Sequence, residues 1–186
     1  FISAEDKNFY SHPGYDLRGI LSAAVDAARS GGRRVRGAST ITQQVMKNFL
    51  LTNEVSIDRK IKEAILSFRM ERAFTKDQIL ALYLNEIYLG YGSYGVAAAA
   101  LNYFDKPLNQ LSLDEVAYLA ALPKAPSNYH PVRKIKAATN RRNWVLRQMA
   151  GNGYISDADG AAAIAQPLKI AAQSGFDAAN APYFTE

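Results

Sequence analysis

Residues 56–90 read SIDRKIKEAILSFRMERAFTKDQILALYLNEIYLG and predict two successive helices. In the first half of this stretch, apolar side chains recur at helical spacing: Ile57, Ile61, Ile65 and Phe68. Ser56 directly precedes them and suits the N-cap position. Thr75 and Gln78 have the spacing of a capping box and predict the start of the second helix, and Gly90 predicts its end.

Similar helix signals continue along the chain. Ser112 and Glu115 repeat the capping-box spacing before LDEVAYLAAL, which Pro123 ends. A further helix is expected from about Lys136 to Ala150. Alternation typical of strands is not evident, and the regular pattern is lost after Pro167. The sequence therefore predicts a mainly α fold.

The composition narrows the function only a little. A chain of 186 residues suits one domain with its own core, and the net charge of +5 suits nucleic acid, an anionic membrane or a phosphorylated substrate without selecting one. The absence of cysteine excludes disulfides and thiolate metal sites. The chain begins at Phe1 and has no run of roughly 18 apolar residues, so we interpret it as a portion of something longer.

The first cluster of chemically useful residues is EDKNFYSHPG, residues 5–14. It brings Glu5, Asp6 and His12 close together in the sequence. The pattern alone favours a solvated helix end followed by a turn at Pro13 and Gly14. The functional alternative is an acid/base carboxylate beside a second acid.

The second cluster is GASTITQQVMKN, residues 37–48. Thr40 and Gln43 have capping-box spacing, so a helix should begin here and offer unpaired N–H groups to an anion. Neutral and positive side chains surround this helix start: Arg29, Arg33, Arg34, Arg36, Ser39, Thr40, Gln43, Gln44 and Lys47. They suit a ligand that combines phosphate with sugar. A well-capped helix after a solvated loop remains an equal alternative.

The third cluster is RKIKE, residues 59–63. Helical geometry turns Glu63 away from the apolar stripe and places it on the side of Arg59 and Lys60. By itself this pattern is typical of a surface ion-pair ladder. A functional role requires that Glu63 face a cleft shared with Glu5.

Five segments in this order resemble one known family: EDKNFYSHPG, GASTITQQ continued by Lys47 and Asn48, RKIKE, KDQILALYLN ending at Asn85, and RRNWVL from Arg141. Together they resemble the peptidoglycan glycosyltransferase (transglycosylase) domain of class A penicillin-binding proteins. The resemblance covers residues 1–168. It implies a lysozyme-like helical core lobe with a smaller membrane-facing lobe, and a linker at 169–186 toward a missing transpeptidase domain. It also implies a missing N-terminal transmembrane anchor and a place at the outer face of the bacterial inner membrane.

The resemblance further implies an activity. Family members are inverting enzymes that polymerise lipid II into β-1,4-linked glycan strands and release undecaprenyl pyrophosphate. Glu5 matches the catalytic base, and Glu63 matches the second essential carboxylate. The expected substrate-binding residues are Asp6, Phe9, His12, Gly14, Ser39, Thr40, Gln43, Gln44, Lys47, Asn48, Arg59, Lys60, Arg69 and Asn85.

The same resemblance sets the expected partners. A divalent cation, Mg²⁺ or Mn²⁺, is expected near Glu63 with the substrate pyrophosphate, and no organic cofactor is expected. The basic loop 29–37 is expected to meet the membrane surface, and no nucleic acid is expected. Val55 stands where many relatives have a basic residue.

Two other functions are open to the same residues. A lysozyme-like hydrolase would share the core and one glutamate but would use water as the acceptor and would not need a pyrophosphate site. A non-enzymatic basic module that binds membranes would need neither Glu5 nor Glu63.

Overall fold

The computed structural model describes residues 1–17, 21, 25, 29, 39–49 and 57–171. The helices whose bounds lie within these ranges are α1 (Ile2–Glu5), α2 (Ile41–Phe49), α3 (Ile57–Ala73), α4 (Lys76–Glu86), α5 (Val96–Phe104), α6 (Leu113–Ala121), α7 (Ile135–Gly151) and α8 (Asp157–Ala165). Short 3-10 turns lie at Phe9–Ser11, Leu108–Gln110 and Pro126–Asn128. Within these described ranges there is no strand, only one antiparallel bridge between Tyr88 and Tyr94. The predicted mainly α fold is confirmed.

The capping boxes predicted from the sequence are present at the starts of three helices. At α4, the Thr75 N–H donates to Gln78 Oε1 over 2.9 Å, and the Gln78 N–H donates back to Thr75 Oγ1 over 3.3 Å. Ser112 and Glu115 form the capping box of α6. Thr40 and Gln43 form the capping box of α2. These boxes were predictable because each depends on residues only three positions apart.

The helix α4 ends earlier than Gly90, which the sequence predicted as its last residue. Its final residue is Glu86, and Ile87 already has extended backbone angles. Tyr88 then pairs with Tyr94 across a tight turn, so the chain needs the residues before Gly90 for the turn rather than for the helix.

Helix α3 turns its apolar stripe outward. The exposed fractions of Ile61, Ile65 and Phe68 are 53%, 49% and 42%. The buried face carries Glu63 and Ser67, whose exposed fractions are 2% and 0%. The interpretation of Glu63 as part of a solvated surface ladder is therefore wrong, because the polar face of this helix is the one that packs inward.

Two apolar clusters meet on α6. Tyr118 and Leu119 belong to the larger cluster, which α2, α4 and α5 also line. The alanines of α6 belong to the smaller cluster with Val145 and Leu146 of α7: Ala117, Ala120 and Ala121. Small side chains on this face allow α7 to approach α6 closely. The arrangement leaves α1 against α7, and α2 between α3 and α4.

The core continues beyond the last helix. Leu168 and Ile170 pack against the larger cluster, and the Ala171 N–H donates to the Tyr103 carbonyl oxygen over 2.9 Å. The rest of the predicted linker, residues 172–186, lies outside the described residues. The same holds for most of the predicted membrane-facing segment, residues 30–38.

A helix that could cross a bilayer needs more length and apolarity than any helix in the described ranges has.

Gly95, at the start of α5, occupies a position that only glycine fits. Its φ is +80°, and a Cβ atom there would lie 2.4 Å from the Asn85 carbonyl oxygen. Gly92 in the same turn also has a positive φ, +66°, but a Cβ atom there would meet nothing within 4 Å. A comparison of substitutions at Gly95 and Gly92 therefore separates the cost of the steric clash from the cost of backbone strain.

We expect Gly95→Ala to lower the free energy of unfolding by about 3 kcal/mol or more, because the clash adds to the strain of a positive φ. Gly92→Ala, the control, should lower it by about 1 kcal/mol from strain alone. Urea denaturation of both variants measures the difference. Equal losses would contradict the close approach of Gly95 to Asn85.

Candidate active site

Glu5 ends helix α1, and its carboxylate is held from two sides. Gln44 of α2 donates from Nε2 to Glu5 Oε2 over 3.3 Å. Arg141 of α7 places Nη2 3.5 Å from Glu5 Oε1. The Glu5 carboxylate thus lies where α1, α2 and α7 come together.

Burial raises the pKa of the Glu5 carboxyl above its ordinary value. The hydrogen bond from Gln44 and the positive charges of Arg141 and Lys124 lower the pKa again, but only in part. Glu5 therefore binds a proton more readily than an exposed glutamate, as a general base requires.

Gln44 is itself oriented by Tyr83 of α4. The Tyr83 hydroxyl donates to Gln44 Oε1 over 3.4 Å, which leaves the Gln44 amide nitrogen directed at Glu5. Tyr83 is buried, and burial raises its pKa well above the ordinary value, so the hydroxyl keeps its proton. The sequence analysis missed this residue, because an apolar-looking tyrosine in LALYLN is typical of a core position.

Asp6 joins this region to the start of α2. Its Oδ2 accepts the Ile41 N–H over 2.9 Å, and His12 Nε2 lies 2.9 Å from both carboxylate oxygens. The Gly14 N–H donates to His12 Nδ1 over 3.2 Å, so the proton between His12 and Asp6 belongs to Nε2. Asp6, His12 and Gly14 therefore build the support of the site.

Thr40 and Gln43 also make their hydrogen bonds inside the protein. Besides their capping box, Thr40 Oγ1 donates to the Gly14 carbonyl oxygen over 2.7 Å. The backbone N–H groups of Thr40, Ile41 and Gln43 are all bonded to protein oxygens. These three N–H groups are thus already bonded, so an anion at this helix start needs other donors, such as side chains.

Phe9 lies wholly in the core. The Lys76 ammonium lies 4.5 Å from the centroid of its ring. Lys76 Nζ also donates to the His12 carbonyl oxygen and to Glu71 Oε1, each over 2.7 Å. Phe9 can therefore contribute to the site through packing.

The buried Glu63 forms an ion pair with the partly exposed Lys60. Lys60 Nζ also donates to Ser39 Oγ over 3.2 Å, which ties α3 to the residue before Thr40. The Lys60 side chain remains 54% exposed. Glu5 and Glu63 are thus both connected to the N-terminal half of the α2 segment, at Gln44 and Ser39.

The other predicted binding residues lie further out. Four of them are exposed and make no hydrogen bond or ion pair with Glu5 or Glu63: Lys47, Asn48, Arg69 and Asn85. Arg59 is half-buried on α3. Arg33, Arg34, Arg36 and Val55 lie outside the described residues, and of the loop 29–37 only Arg29 is described, as an exposed helical residue.

Comparison with known proteins identifies the family. The family described as Transglycosylase matches residues 1–150. This chain belongs to the transglycosylase family. Penicillin-binding protein 1A of Rickettsia felis is 52% identical over 186 residues, which cover 99% of this chain and 24% of that protein. The protein of the same name from Pseudomonas aeruginosa is 46% identical over 185 residues, covering 100% of this chain and 22% of that protein.

A solved structure supports the fold of this transglycosylase chain. The crystal structure of penicillin-binding protein 1A from Haemophilus influenzae matches with a TM-score of 0.50 and 41% identity, over 69% of this chain and 16% of that chain. The expected lysozyme-like, mainly helical class agrees with this likeness. The chain spans about a quarter of the length of the curated relatives it matches.

The residues around Glu63 do not by themselves form a metal-binding site. Among the residues described, no group of three or more His, Cys, Asp or Glu side chains could hold one. Glu63 offers a single carboxylate, and Lys60 already neutralises it. A divalent cation would therefore need most of its ligands from another molecule.

Glu5 and Glu115 allow a test of this electrostatic description, because their pKa values shift in opposite directions. Burial raises the pKa of Glu5, so its ionised form opposes folding increasingly as the pH rises from the unfolded-state pKa to the folded-state pKa. Burial alone would raise the pKa of Glu115, but hydrogen bonds from Lys106 and Ser112 outweigh this effect and lower the pKa. Ionised Glu115 therefore stabilises the fold, and this stability is lost as the pH falls through its folded-state pKa.

We expect Glu5→Gln to raise the free energy of unfolding at pH 7, since glutamine resembles protonated glutamate, and to have little effect below the ordinary glutamate pKa of 4.5. Glu115→Gln should lower the free energy of unfolding at pH 7. Denaturant unfolding at several pH values measures both. A destabilised Glu5→Gln at neutral pH would contradict the raised pKa of Glu5.

Proposed function

We propose that this chain is an inverting glycosyltransferase that polymerises lipid II into β-1,4-linked glycan strands and releases undecaprenyl pyrophosphate. One observation carries the proposal. Glu5, whose pKa is raised, accepts a hydrogen bond from Gln44. Ser39, in the same segment as Gln44, accepts a hydrogen bond from Lys60, which forms an ion pair with Glu63. A proton acceptor and a cation therefore both contact the segment 39–44. Attack of a sugar hydroxyl on a glycosyl pyrophosphate needs both groups.

Glu5 is the proposed base. The 4-hydroxyl of the acceptor GlcNAc attacks the anomeric carbon of the donor MurNAc, and Glu5 takes the hydroxyl proton as the new C–O bond forms. The bond from the anomeric carbon to the pyrophosphate oxygen breaks in the same displacement. One displacement inverts the α linkage of the donor to a β linkage without a covalent sugar–enzyme intermediate.

Lys60 is the proposed cation nearest to the leaving group. Pyrophosphate leaves as an anion, so it needs positive charge more than it needs a proton. The contacts with Glu63 and Ser39 hold the Lys60 ammonium in place while half of its side chain stays exposed. In this proposal, Glu63 orients Lys60 and takes no proton, and the exposed Lys47 and Arg69, with Arg59, add charge further along the bound lipid.

The divalent cation stays a prediction of the resemblance. If Mg²⁺ or Mn²⁺ takes part, we propose that it arrives with the oxygens of the substrate pyrophosphate, which are its preferred ligands.

We further propose that this chain works within a longer protein at the outer face of the bacterial inner membrane. The curated relatives are about four times as long as the segment they share with this chain, which leaves room for an N-terminal membrane anchor and a transpeptidase domain. Lipid II and the growing strand are then its substrates, and both remain attached to the bilayer through their lipid tails.

A raised carboxyl pKa would also suit the general acid of a lysozyme-like hydrolase. That alternative does not require the exposed Lys60 beside Glu63. The products separate the two reactions, because a hydrolase shortens lipid-free polymer whereas the transferase lengthens strands from lipid II.

We expect Glu5→Gln to reduce lipid II polymerisation by about 100-fold or more, because the acceptor hydroxyl loses its base. The assay follows lipid II turnover in detergent with a divalent cation and sizes the products on a gel. Glu86→Gln, an exposed glutamate at the end of α4, is the matched control and should polymerise like wild type. Full polymerisation by Glu5→Gln, or shortened lipid-free polymer with wild type, would refute the proposal.

For the membrane surface, we expect the double variant Arg33→Glu/Arg34→Glu to bind phosphatidylglycerol vesicles at least ~10-fold more weakly, since each basic residue near an anionic surface contributes about 1 kcal/mol. Vesicle sedimentation measures the affinity. Arg133→Glu/Arg147→Glu changes the net charge equally at exposed positions outside the loop 29–37 and is the control. Equal weakening by both double variants would mean that net charge, rather than the loop, drives binding.

A further inference from the structure

Arg141 lies beside Glu5 although the function proposed above gives it no part. Its Nη2 is 3.5 Å from Glu5 Oε1, and both side chains are largely buried, with exposed fractions of 11% and 13%. The pair joins α7 to the end of α1. A buried arginine is costly unless its charge and its N–H groups are matched, so its position requires an explanation.

Trp144, one turn further along α7, packs against this guanidinium. The Arg141 guanidinium carbon lies 4.0 Å from the centroid of the Trp144 ring, which is the geometry of a cation–π contact. Arg141 Nε is buried and has no hydrogen-bond partner in the structure. The guanidinium is thus held by stacking and by its charge, rather than by a set of hydrogen bonds.

The neighbouring Arg142 provides a comparison on the same helix, because its contacts are those of a purely structural arginine. It is fully buried and donates to Asn143 Oδ1 and to the Ile164 carbonyl oxygen, and Asp114 lies 3.8 Å away. Arg142 therefore ties α7 to the end of α8 and to α6. Arg141 has no such ties, and its carboxylate partner is the proposed base.

We propose that Arg141 is a positioning residue for Glu5: its guanidinium, packed against Trp144, fixes Oε1 and keeps the carboxylate ionised for the acceptor hydroxyl. This inference rests on the proposed function. Gln44 binds the other oxygen, Oε2, so the two contacts together restrict the rotation of the carboxylate.

The groups around Glu5 indicate how its ionisation depends on Arg141. Cations face it from two sides: Arg141 of α7 and Lys124 after α6. Gln44 of α2 contributes a neutral donor, and the Tyr83 hydroxyl of α4 keeps its proton. The adjacent Asp6 carboxylate is bonded to His12 and the Ile41 N–H. Arg141 is the cation in ion-pair contact, so its removal should raise the pKa of Glu5 further.

The test compares Arg141→Gln, Arg141→Lys and wild type in lipid II polymerisation across a pH series. Arg147→Gln, at an exposed position of the same helix, is the matched control. We expect Arg141→Gln to lower kcat about 10-fold on the acid side, with KM changed less than ~2-fold, and to move the acid limb of the profile to higher pH. Arg141→Lys should return the acid limb toward wild type, because it restores the charge.

Three results would overturn the inference. One is a folded Arg141→Gln variant with wild-type kcat and pH profile. Another is an equal fall of kcat at every pH together with a lower Tm, which indicates a structural role only. If Arg141→Gln does not fold, Trp144→Leu releases the guanidinium instead, and an acid limb that stays in place in this variant would also overturn it.

A substrate-free measurement separates this inference from the proposed function. Carbon-13 NMR of labelled glutamate side chains follows the titration of Glu5, with Glu5→Gln to assign the signal. A higher titration midpoint of Glu5 in Arg141→Gln, together with an unchanged midpoint in Arg147→Gln, supports the electrostatic effect of Arg141 on Glu5 even if no polymer is formed. An unchanged midpoint refutes it even if the enzyme is active. Absent polymerisation by wild type would count against the proposed function alone.

Discussion

The hydrogen bond between the Asp6 carboxylate and the Ile41 N–H is the interaction on which the rest of the site depends. It joins the end of α1 to the start of α2 across 35 residues of sequence. Glu5 directly precedes Asp6 and Gln44 follows Ile41 by one turn, so this bond helps to set how close Glu5 and its donor Gln44 lie. His12 holds the Asp6 carboxylate from the other side and prevents it from turning toward solvent.

The polar residues around α2 divide into two groups by the location of their partners. Asp6, His12, Thr40 and Gln43 are buried and have their partners within the protein, so they provide rigidity. Ser39, Gln44 and Lys60 retain partly accessible atoms, and these can meet a ligand. A preorganised site needs both groups, because donors that already point at the reacting atoms do not have to reorganise when the reaction occurs.

The sequence was informative where the determining contacts are local. Capping boxes at Thr40, Thr75 and Ser112 were predictable because their partners lie three residues away, and the mainly helical class followed from them. The burial of Glu63 was not predictable, because its helix exposes Ile61 and Ile65 and hides a polar face. Tyr83 and Arg141 contact the site from α4 and α7. Both lie in segments that carry the family resemblance, but no spacing in the sequence pairs them with Gln44 or Glu5.

The alanine-lined contact of α6 with α7 has a consequence for how this enzyme family can vary. Phe1, directly before α1, and Ala4 of α1 pack against the small cluster that contains Ala117 and Ala121, so α1 and α7 rest on a common surface of methyl groups. Enlarging one of those methyl groups would separate the helices that carry Glu5 and Arg141. Divergence at these distant positions can therefore retune the proton affinity of the proposed base, while Glu5, Gln44 and Arg141 stay the same.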